Sequence, residues 1–454
     1  MDTKIAVTIA GSDSSGGAGI QGDLKTFSCL GVYGCTIVTG ITAQNTKGIF
    51  KIKKMSPDII NAQIKTILSD IQPNSIKIGM VYDSNVINKI YLNLKKENTP
   101  IVVDPVFKST NNDTLLLNSS LKTFINKLVP LSTVITPNIH EAEILSNIKI
   151  NSAEEMVEAV YKIKKLGVKN IIIKGGHLKR KKEKREVTDI LLDQNEKTYW
   201  FKNNLLDINE NHGSGCSYSA AIASFLAKGY NVIESCRHAN KFINESLKNL
   251  IFIGKKLPIV DTTRINYIKA KKYDVLTELK EAVNKLERIE NISILIPETQ
   301  MNFVYAIPEA RTIQDIAGVK GRIVKLDKYA KASSCIEFGA SKHVSSSVIE
   351  YMKFNRENRA AINIKYNEKI IDICRKYYSS LFKISKYNRE NEPKEMKNIE
   401  GKTIKWGINH ALKKNRNANL IYHTGDIGKE SMIILFAENP NRILEYLKKI
   451  ISKY

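Results

Sequence analysis

Through the first 262 residues, short apolar runs alternate with segments of helical periodicity, and this alternation restricts the choice of fold more than any other feature. The first run, residues 4–10, precedes a glycine-rich loop at 11–19 and a helical pattern that continues to about Leu30. Strands that alternate with helices predict an α/β fold with a doubly wound, mainly parallel sheet. Further strands are predicted at residues 36–41, 75–80, 101–104, 134–136, 170–174 and 189–192.

Polar side chains follow several of these strands, at the sheet edge where α/β proteins bind their ligands. Asp104, Asn138 and Glu141 carry oxygens suited to Mg²⁺ and its water shell, and Lys174 suits nucleotide phosphates. Each residue also has a structural explanation: Asp104 begins a turn before a proline, Asn138 and Glu141 resemble a helix-capping box, and Lys174 is a solvated lysine. Their recurrence at successive strand ends favours a binding site.

A second glycine-rich turn, residues 211–216, leads directly into an apolar helical pattern. The backbone amides of Gly213, Ser214 and Gly215 can converge on an anion, assisted by the positive end of the helix dipole. Cys216 falls in the first helical turn, where the thiolate is favoured and can accept a proton. The alternative is an ordinary helix start with a small buried cysteine.

Two apparent cofactor motifs are weakened by their context. Gly17, Gly19 and Gly22 match the spacing of a dinucleotide-binding motif, but they fall on the predicted helix, and no acidic residue ends the next strand. The loop at 11–19 also lacks the Gly-Lys-Ser/Thr of a phosphate-binding loop. The first glycine-rich loop therefore predicts neither a nicotinamide nor a P-loop nucleotide site.

The composition indicates a soluble, cytoplasmic protein of two or three domains. The chain has 454 residues, and its six cysteines contain no CxxC pair, which is typical of reduced thiols. We find neither a signal peptide nor an apolar stretch of about 20 residues that would span a membrane. The net charge of +24 is spread along the chain, so it favours phosphorylated metabolites over nucleic acid. The densest basic run, residues 179–185, is expected to be a solvated loop.

The second half of the chain has an alternation of its own. Residues 263–274 are polar and basic and lack periodicity, so we expect a linker, followed by an amphipathic helix from Val275. Strands at 301–307, 321–326, 360–366, 383–387, 420–422 and 433–435 and helices at 345–354, 370–381 and 440–451 predict a smaller, three-layer α/β sandwich. Polar groups again occur along these elements: Arg311, Arg322, His343, Arg389, Asp426 and Lys429. Arginine suits phosphate oxygens, and a histidine such as His343 can share that role or act as an acid. Arg322 taken alone is more often a surface charge than a ligand, and His343 taken alone favours neither explanation.

Five motifs in order give the first 262 residues a resemblance to the hydroxymethylpyrimidine/phosphomethylpyrimidine kinases, within the ribokinase-like superfamily. They are AGSDSSGGAGIQ from residue 10, TAQNT from 42, TPNxxEAE from 136, KGGH from 174 and HGSGC from 212. The resemblance implies ATP and Mg²⁺ as co-substrate and metal, and an aminopyrimidine held by Gln44, Gly11, Asp23 and Met80. It also implies an anion hole at Gly213, Ser214 and Gly215, with Cys216 where sugar kinases carry an aspartate base.

The sequence departs from the family pattern at Gly22, at Ser214 and across residues 106–110, so the loop over the phosphates is undetermined.

Residues 275–454 resemble a ThiN-type thiamine phosphate synthase domain. The resemblance rests on the stretches around residues 296–306, 317–324, 337–344 and 425–430. It implies condensation of the pyrimidine diphosphate with hydroxyethylthiazole phosphate, and it assigns essential positions to Arg322 and His343. With Lys429 and Mg²⁺, these residues would neutralise the leaving diphosphate.

Two alternatives remain open. In one, the second domain only senses thiamine phosphate; in the other, the kinase acts on another vitamin ring, such as pyridoxal. No nucleic-acid or membrane partner is expected in any case, and the resemblance makes a homodimer the expected assembly.

Overall fold

The structure is a computed structural model that describes residues 2–109, 113–177, 186–204, 206, 210–389, 392–393, 402–425 and 430–454. The chain divides into two compact units, Met1–Asn266 and Tyr267–Tyr454. One helix, Arg264–Leu286, covers the boundary, so the expected linker at 263–274 is helical rather than irregular. This stretch contains neither proline nor glycine, and its lysines and alanine are good helix formers, so the amphipathic helix extends backwards through it.

The described part of the first unit forms a nine-stranded sheet. In chain order its strands are β1 (Ile5–Asp13), β2 (Tyr33–Asn45), β3 (Gly48–Lys54), β4 (Ser75–Ile78), β5 (Ile101–Val103), β6 (Val134–Ile135), β7 (Asn170–Ile173), β8 (Glu186–Leu192) and β9 (Thr198–Asn204). The spatial order is β3-β2-β1-β4-β5-β6-β7-β8-β9. The six adjacent strands β2-β1-β4-β5-β6-β7 pair in parallel, and β3, β8 and β9 pair antiparallel at the two sides of the sheet, which confirms a mainly parallel sheet.

Helices cover both faces of this sheet, as a doubly wound fold requires. They are α1 (Gly19–Cys29), α2 (Pro57–Asp70), α3 (Ser84–Leu94), α4 (Leu121–Leu131), α5 (Ile139–Ser146), α6 (Ala153–Lys164), α7 (Ser214–Ala227) and α8 (Val232–Leu247). In β1, Val7 packs with α2 to α6 whereas Ala6 packs with α1, α7 and α8, because successive side chains of a strand point to opposite faces. The sequence did not predict strands β3 and β9; both lie at the edges of the sheet and end in polar residues, outside the apolar pattern of the central strands.

The described residues of the second unit form a seven-stranded sheet and a separate hairpin. The sheet strands are β10 (Phe303–Ala306), β11 (Ile316–Val319), β14 (Ile336–Phe338), β15 (Ala360–Lys365), β16 (Ile384–Lys386), β17 (Leu420–His423) and β18 (Met432–Ala437), and the hairpin consists of β12 (Ile323–Leu326) and β13 (Tyr329–Ala332). The sheet order is β14-β11-β10-β15-β18-β17-β16, antiparallel except between β16 and β17. The strand predicted at 321–326 therefore lies in the hairpin and not in the main sheet.

Helices on both faces of the second sheet give the predicted three layers. Helices α9 (Arg264–Leu286), α11 (Glu368–Tyr377) and α13 (Pro440–Ile451) cover one face, and α10 (Lys342–Met352) and α12 (Lys402–Lys414) cover the other. The sequence did not predict β11, β13, β14 or α12. Among the described helices of the chain, none is both long and apolar enough to cross a membrane.

Candidate active site

The carboxyl ends of the parallel strands of the first unit surround a cavity of about 960 Å³. Its wall brings together nearly all of the residues that the sequence predicted for this unit, although they come from separate parts of the chain. The predicted residues that line the cavity are Gly11, Gln44, Met80, Asp104, Asn138, Glu141, Lys174, Gly213, Ser214, Gly215 and Cys216.

The turn before α7 has a backbone that only glycine accommodates well. Gly213 has a φ of +94°, and a Cβ atom there would lie 1.9 Å from the carbonyl oxygen of Gly17. Helix α7 begins at Ser214, so the first amides of the helix face no earlier carbonyl and can bind an anion. A Cβ atom at Gly215 would lie 3.4 Å from Nζ of Lys174, which places a cation beside this turn.

Cys216 differs from its predicted chemical state. Burial raises the pKa of the Cys216 thiol to about 11. The positive charge of Lys77 and a hydrogen bond from the backbone amide of Gly19 offset only part of that increase. The expectation that the helix terminus favours the thiolate is therefore wrong for the protein without ligands. Loss of solvent outweighs the nearby positive charge at this partly buried position, and the thiol is neutral near pH 7.

A buried ion pair lies behind the cavity wall. Nζ of Lys77 lies 2.8 Å from Oδ2 and 3.1 Å from Oδ1 of Asp23, and Thr8 Oγ1 donates to Oδ2 of the same carboxylate at 2.6 Å. Asp23 is wholly buried and does not line the cavity, so its predicted contact with a pyrimidine is not supported; Lys77 lines the cavity instead. The sequence held a signal for this pair, because a lysine inside an apolar strand needs a charged partner.

Asp104 and Lys174 form a second, slightly more exposed ion pair along the same sheet edge. Nζ of Lys174 lies 3.0 Å from Oδ1 of Asp104, and the carboxylate also accepts hydrogen bonds from the hydroxyls of Thr136 at 3.0 Å and Ser219 at 3.2 Å. Burial raises the pKa of Glu141 to about 8; Asp104 adds to the increase and Lys174 counteracts it. The charge of Lys174 thus acts on both Asp104 and Glu141.

Asn138 and Glu141 form the capping box that the sequence suggested. The amide of Asn138 donates to Oε2 of Glu141 at 2.8 Å, and the amide of Glu141 donates to Oδ1 of Asn138 at 2.9 Å. In the part of the chain that the structure describes, no group of three His, Cys, Asp or Glu side chains is arranged to hold a metal ion alone. The pair Asp104 and Glu141 therefore fits only a cation whose other ligands are phosphate oxygens and water.

A further network, not predicted from the sequence, ties the first glycine-rich loop to the second. Nε2 of His212 lies 2.7 Å from Oδ2 of Asp13 and 3.2 Å from the side-chain nitrogen of Gln44. Asp13 also accepts bonds from the amides of Ser15 and Ala18 at 2.8 and 2.9 Å. Burial raises the pKa of Asp13, but the bonds from His212 and Ser15 outweigh it and hold that pKa below its usual value. A charged Asp13 therefore fixes the loop over the cavity.

In the second unit, Arg322 and His343 both adjoin the β10–β11 pair. Arg322 precedes β12 and lies beside the start of β10, because Ile323 forms a bridge with Met301. Its guanidinium donates to the carbonyl of Gly321 at 2.8 Å, and His343 lies exposed in the first turn of α10. The chain just before α10 packs on β11, since a Cβ atom at Gly318 would lie 3.5 Å from that of Ala340. Asp426, Lys429, Thr110 and the basic run at 179–185 lie outside the described residues.

Comparisons with known proteins agree with this division of the chain. Residues 13–261 match the family model of phosphomethylpyrimidine kinase, and residues 278–449 match that of thiamine-phosphate synthase ThiN. A hydroxymethylpyrimidine/phosphomethylpyrimidine kinase of Rhizobium meliloti is 40% identical over 246 residues, 54% of this chain and 91% of that protein.

Two solved structures share the fold of the first unit. A Bacillus subtilis pyridoxal kinase in an ADP complex is 33% identical, with a TM-score of 0.53, over 59% of this chain and 100% of that one. A Staphylococcus aureus pyridoxal kinase in complex with AMP-PCP and pyridoxal is 32% identical, with a TM-score of 0.53, over 59% of this chain and 96% of that one.

Proposed function

Because the chain belongs to the phosphomethylpyrimidine kinase family, we propose that its first unit uses ATP to phosphorylate 4-amino-5-hydroxymethyl-2-methylpyrimidine and then the resulting monophosphate. The second unit then condenses the diphosphate with hydroxyethylthiazole phosphate, which yields thiamine phosphate and pyrophosphate. The observation that carries the kinase proposal is the single cavity that joins Gln44, Lys174 and the turn at 213–216. The ADP and AMP-PCP complexes of the two pyridoxal kinases support ATP as the phosphoryl donor.

The cavity offers one end for the ring and another for the phosphates. Gln44, Gly11 and Met80 are proposed to hold the aminopyrimidine, and the close packing of Gly11 on Met80 supports this, since a Cβ atom at Gly11 would lie 2.8 Å from Sδ of Met80. The amides of the turn at 213–216 receive the transferred phosphoryl group, and Lys174 holds phosphate oxygens of ATP. Phosphoryl transfer needs chiefly this kind of positioning and charge neutralisation.

Asp104 and Glu141, with Asn138 beside them, are the residues that would hold Mg²⁺ through its water and phosphate ligands. When bound, Mg²⁺ supplies charge neutralisation for the ATP phosphates. Glu141 has to lose its proton to contribute, and its raised pKa of about 8 makes that loss dependent on pH near neutrality.

Cys216 is proposed to handle the proton of the hydroxymethyl group in the first phosphorylation. Because its thiol is neutral, it acts as a relay: it accepts the alcohol proton while it gives its own proton to an oxygen of the transferred phosphoryl group. The oxygen–phosphorus bond to the substrate forms as the bond to ADP breaks, and the thiol is regenerated. In the second phosphorylation the acceptor is a phosphate oxygen that is already largely ionised, so no relay is needed.

In the second unit, the carbon–oxygen bond of the pyrimidine diphosphate breaks and the leaving pyrophosphate keeps the electron pair. The nitrogen of the thiazole then forms the new bond to the methylene carbon, and its ring becomes a cation. Arg322, His343 and Lys429 are proposed to neutralise the leaving group. The reaction requires no protein nucleophile.

The test of the kinase assignment is substrate preference. ADP release by the full-length protein should give a higher kcat/KM for the aminopyrimidine than for pyridoxal, by at least about tenfold, which corresponds to one well-placed hydrogen bond. Pyridoxal is the second candidate substrate, because two pyridoxal kinases have a similar fold. Equal turnover of both rings, or turnover of pyridoxal alone, would refute the assignment.

A further inference from the structure

One edge of the sheet in the second unit collects polar side chains on the face that α10 and α12 cover. Val304, Ala361 and Ile421 pack on that face, and side chains two residues along a strand share a face, so Asn302, Asn363 and His423 belong to it as well. Phe303 pairs with Ile362, and Asn302 is the residue just before Phe303. His423 pairs with Met432. These positions all lie towards the same sheet edge, and Arg389 follows β16, which runs parallel to β17.

His423 is held as a neutral donor at this edge. Its ring nitrogen Nδ1 accepts a hydrogen bond from the amide of Gly425 at 3.2 Å, and the side chain is 7% exposed. Burial lowers the pKa of His423 to about 4, and the positive charge of Arg389 contributes to the decrease. A neutral imidazole that accepts at Nδ1 carries its proton on Nε2, so Nε2 can donate to a ligand.

Arg389, near His423, has a hydrogen-bond donor without an acceptor among the described residues. Its Nε atom is buried and has no hydrogen-bond partner among the residues that the structure describes. A buried N–H of a guanidinium group that lacks an acceptor is costly, and a ligand with anionic oxygens would remove that cost. Arg389 and His423 thus offer two donors and a positive charge, which is the chemistry of a phosphate monoester site.

Arg389 and His423 lie several strands away from Arg322 along this edge. Arg322 lies beside the start of β10, and the sheet order places β15, β18 and β17 between β10 and β16. Arg389, just after β16, is four strand spacings from β10, or about 19 Å, and His423 in β17 is three spacings away, or about 14 Å. One phosphate group cannot be held by both sites, whereas two phosphorylated substrates that react head to head need a cationic group at each outer end.

The carboxylate of Glu392 indicates which of the two substrates binds near Arg389. Glu392 is buried, its Oε1 atom has no partner among the described residues, and its charge acts on Tyr387, whose ring centroid lies 5.1 Å from that of His423. A negative charge disfavours the more highly charged diphosphate here. It disfavours the thiazole phosphate less, because that substrate carries a single phosphate group.

We propose that Arg389 and His423 bind the phosphate group of hydroxyethylthiazole phosphate, opposite the diphosphate site at Arg322. This inference rests on the proposed synthase function. Arg389 and His423 are binding residues in this scheme, and they take no part in bond breaking.

The test uses the full-length protein and two measurements. Calorimetry follows the binding of hydroxyethylthiazole phosphate, and steady-state kinetics with preformed pyrimidine diphosphate give a KM for each substrate. Arg389→Gln should raise the Kd and KM for the thiazole phosphate about 10- to 100-fold, as for the loss of a charged hydrogen bond, and leave the KM for the diphosphate within about twofold. Arg389→Lys should recover part of the affinity.

The matched control is Arg442→Gln, which removes an arginine of the same unit that pairs with Glu445 at the surface. It should leave both KM values unchanged, and circular dichroism of each variant verifies the fold. Unchanged binding of the thiazole phosphate by Arg389→Gln, or an increase confined to the KM of the diphosphate, would overturn the inference. Absence of synthase turnover in the unmodified protein would refute the proposed function alone; calorimetric binding lost in Arg389→Gln and retained in Arg442→Gln would still support the site.

Discussion

Replacement of Lys77 by Met should destabilise the first unit by about 3–5 kcal/mol, the usual cost of breaking a buried ion pair from one side. Both side chains of the pair are wholly buried, and Nζ lies 2.8 Å from Oδ2 of Asp23. The variant leaves Asp23 with the hydroxyl of Thr8 as its remaining side-chain donor. A methionine of similar length fills the space, so the loss reflects the unpaired carboxylate and not a cavity.

The effect should depend on pH with a defined sign. Burial raises the pKa of Asp23, and in the unmodified protein the charge and bonds of Lys77 oppose that increase. Without Lys77 the folded-state pKa of Asp23 rises further above the unfolded value. A group with a raised folded pKa stabilises the fold at low pH and loses that contribution as the pH increases. The stability lost by the variant should therefore be smallest at about pH 4, the ordinary pKa of an aspartate, and should grow as the pH rises above it.

The assay is urea unfolding followed by tryptophan fluorescence. The chain has two tryptophans, Trp200 in β9 and Trp406 in α12, so a Trp406→Phe background makes Trp200 the reporter of the first unit. The double variant Asp23→Asn/Lys77→Met should recover most of the lost stability, because no charge then remains unpaired.

The control is Lys202→Met, which removes an exposed partner of Glu186 and should cost less than about 0.5 kcal/mol. A loss below about 1 kcal/mol for Lys77→Met, or a double variant no more stable than the single one, would refute the reasoning.

Three further predictions concern the kinase cavity. Gly213→Ala should lower kinase activity more than about 100-fold, because its Cβ would meet Gly17 at the anion hole, whereas Gly229→Ala, with a similar positive φ but open space, should retain activity; equal losses would contradict this. The affinity for Mg²⁺·ATP should increase as the pH rises through about 8, where Glu141 loses its proton, and Glu141→Gln should abolish that dependence in a calorimetric titration. Cys216→Ala should slow the first phosphorylation by about 100-fold or more and the second by less than tenfold, measured by separate ADP-release assays; equal effects would exclude the relay.

The central strands and the strand-end residues were predictable because both depend on local pattern. Each central strand is an apolar run that the sheet buries on both faces. Asp104 and Lys174 follow such runs directly, and Asn138 follows one after two residues. Parallel strands bring their carboxyl ends together, so residues far apart in sequence meet in one cavity without further information.

The chemical state of the site was not predictable in the same way. The pKa of Cys216 depends on how completely the cavity wall excludes water, which no local pattern records. The pairing of Lys77 with Asp23 and that of His212 with Asp13 each join residues from separate elements, at separations of 54 and 199 positions. The edge strand β3 and the hairpin β12–β13 were missed or misplaced because their exposed faces break the apolar pattern.

The most direct test of the two-unit account is a single reaction of the full-length protein with hydroxymethylpyrimidine, ATP, Mg²⁺ and hydroxyethylthiazole phosphate. The account predicts that thiamine phosphate, detected by conversion to fluorescent thiochrome phosphate, appears together with pyrophosphate and ADP. Accumulation of the pyrimidine diphosphate without any thiamine phosphate would contradict the synthase assignment and leave a kinase joined to a sensing domain.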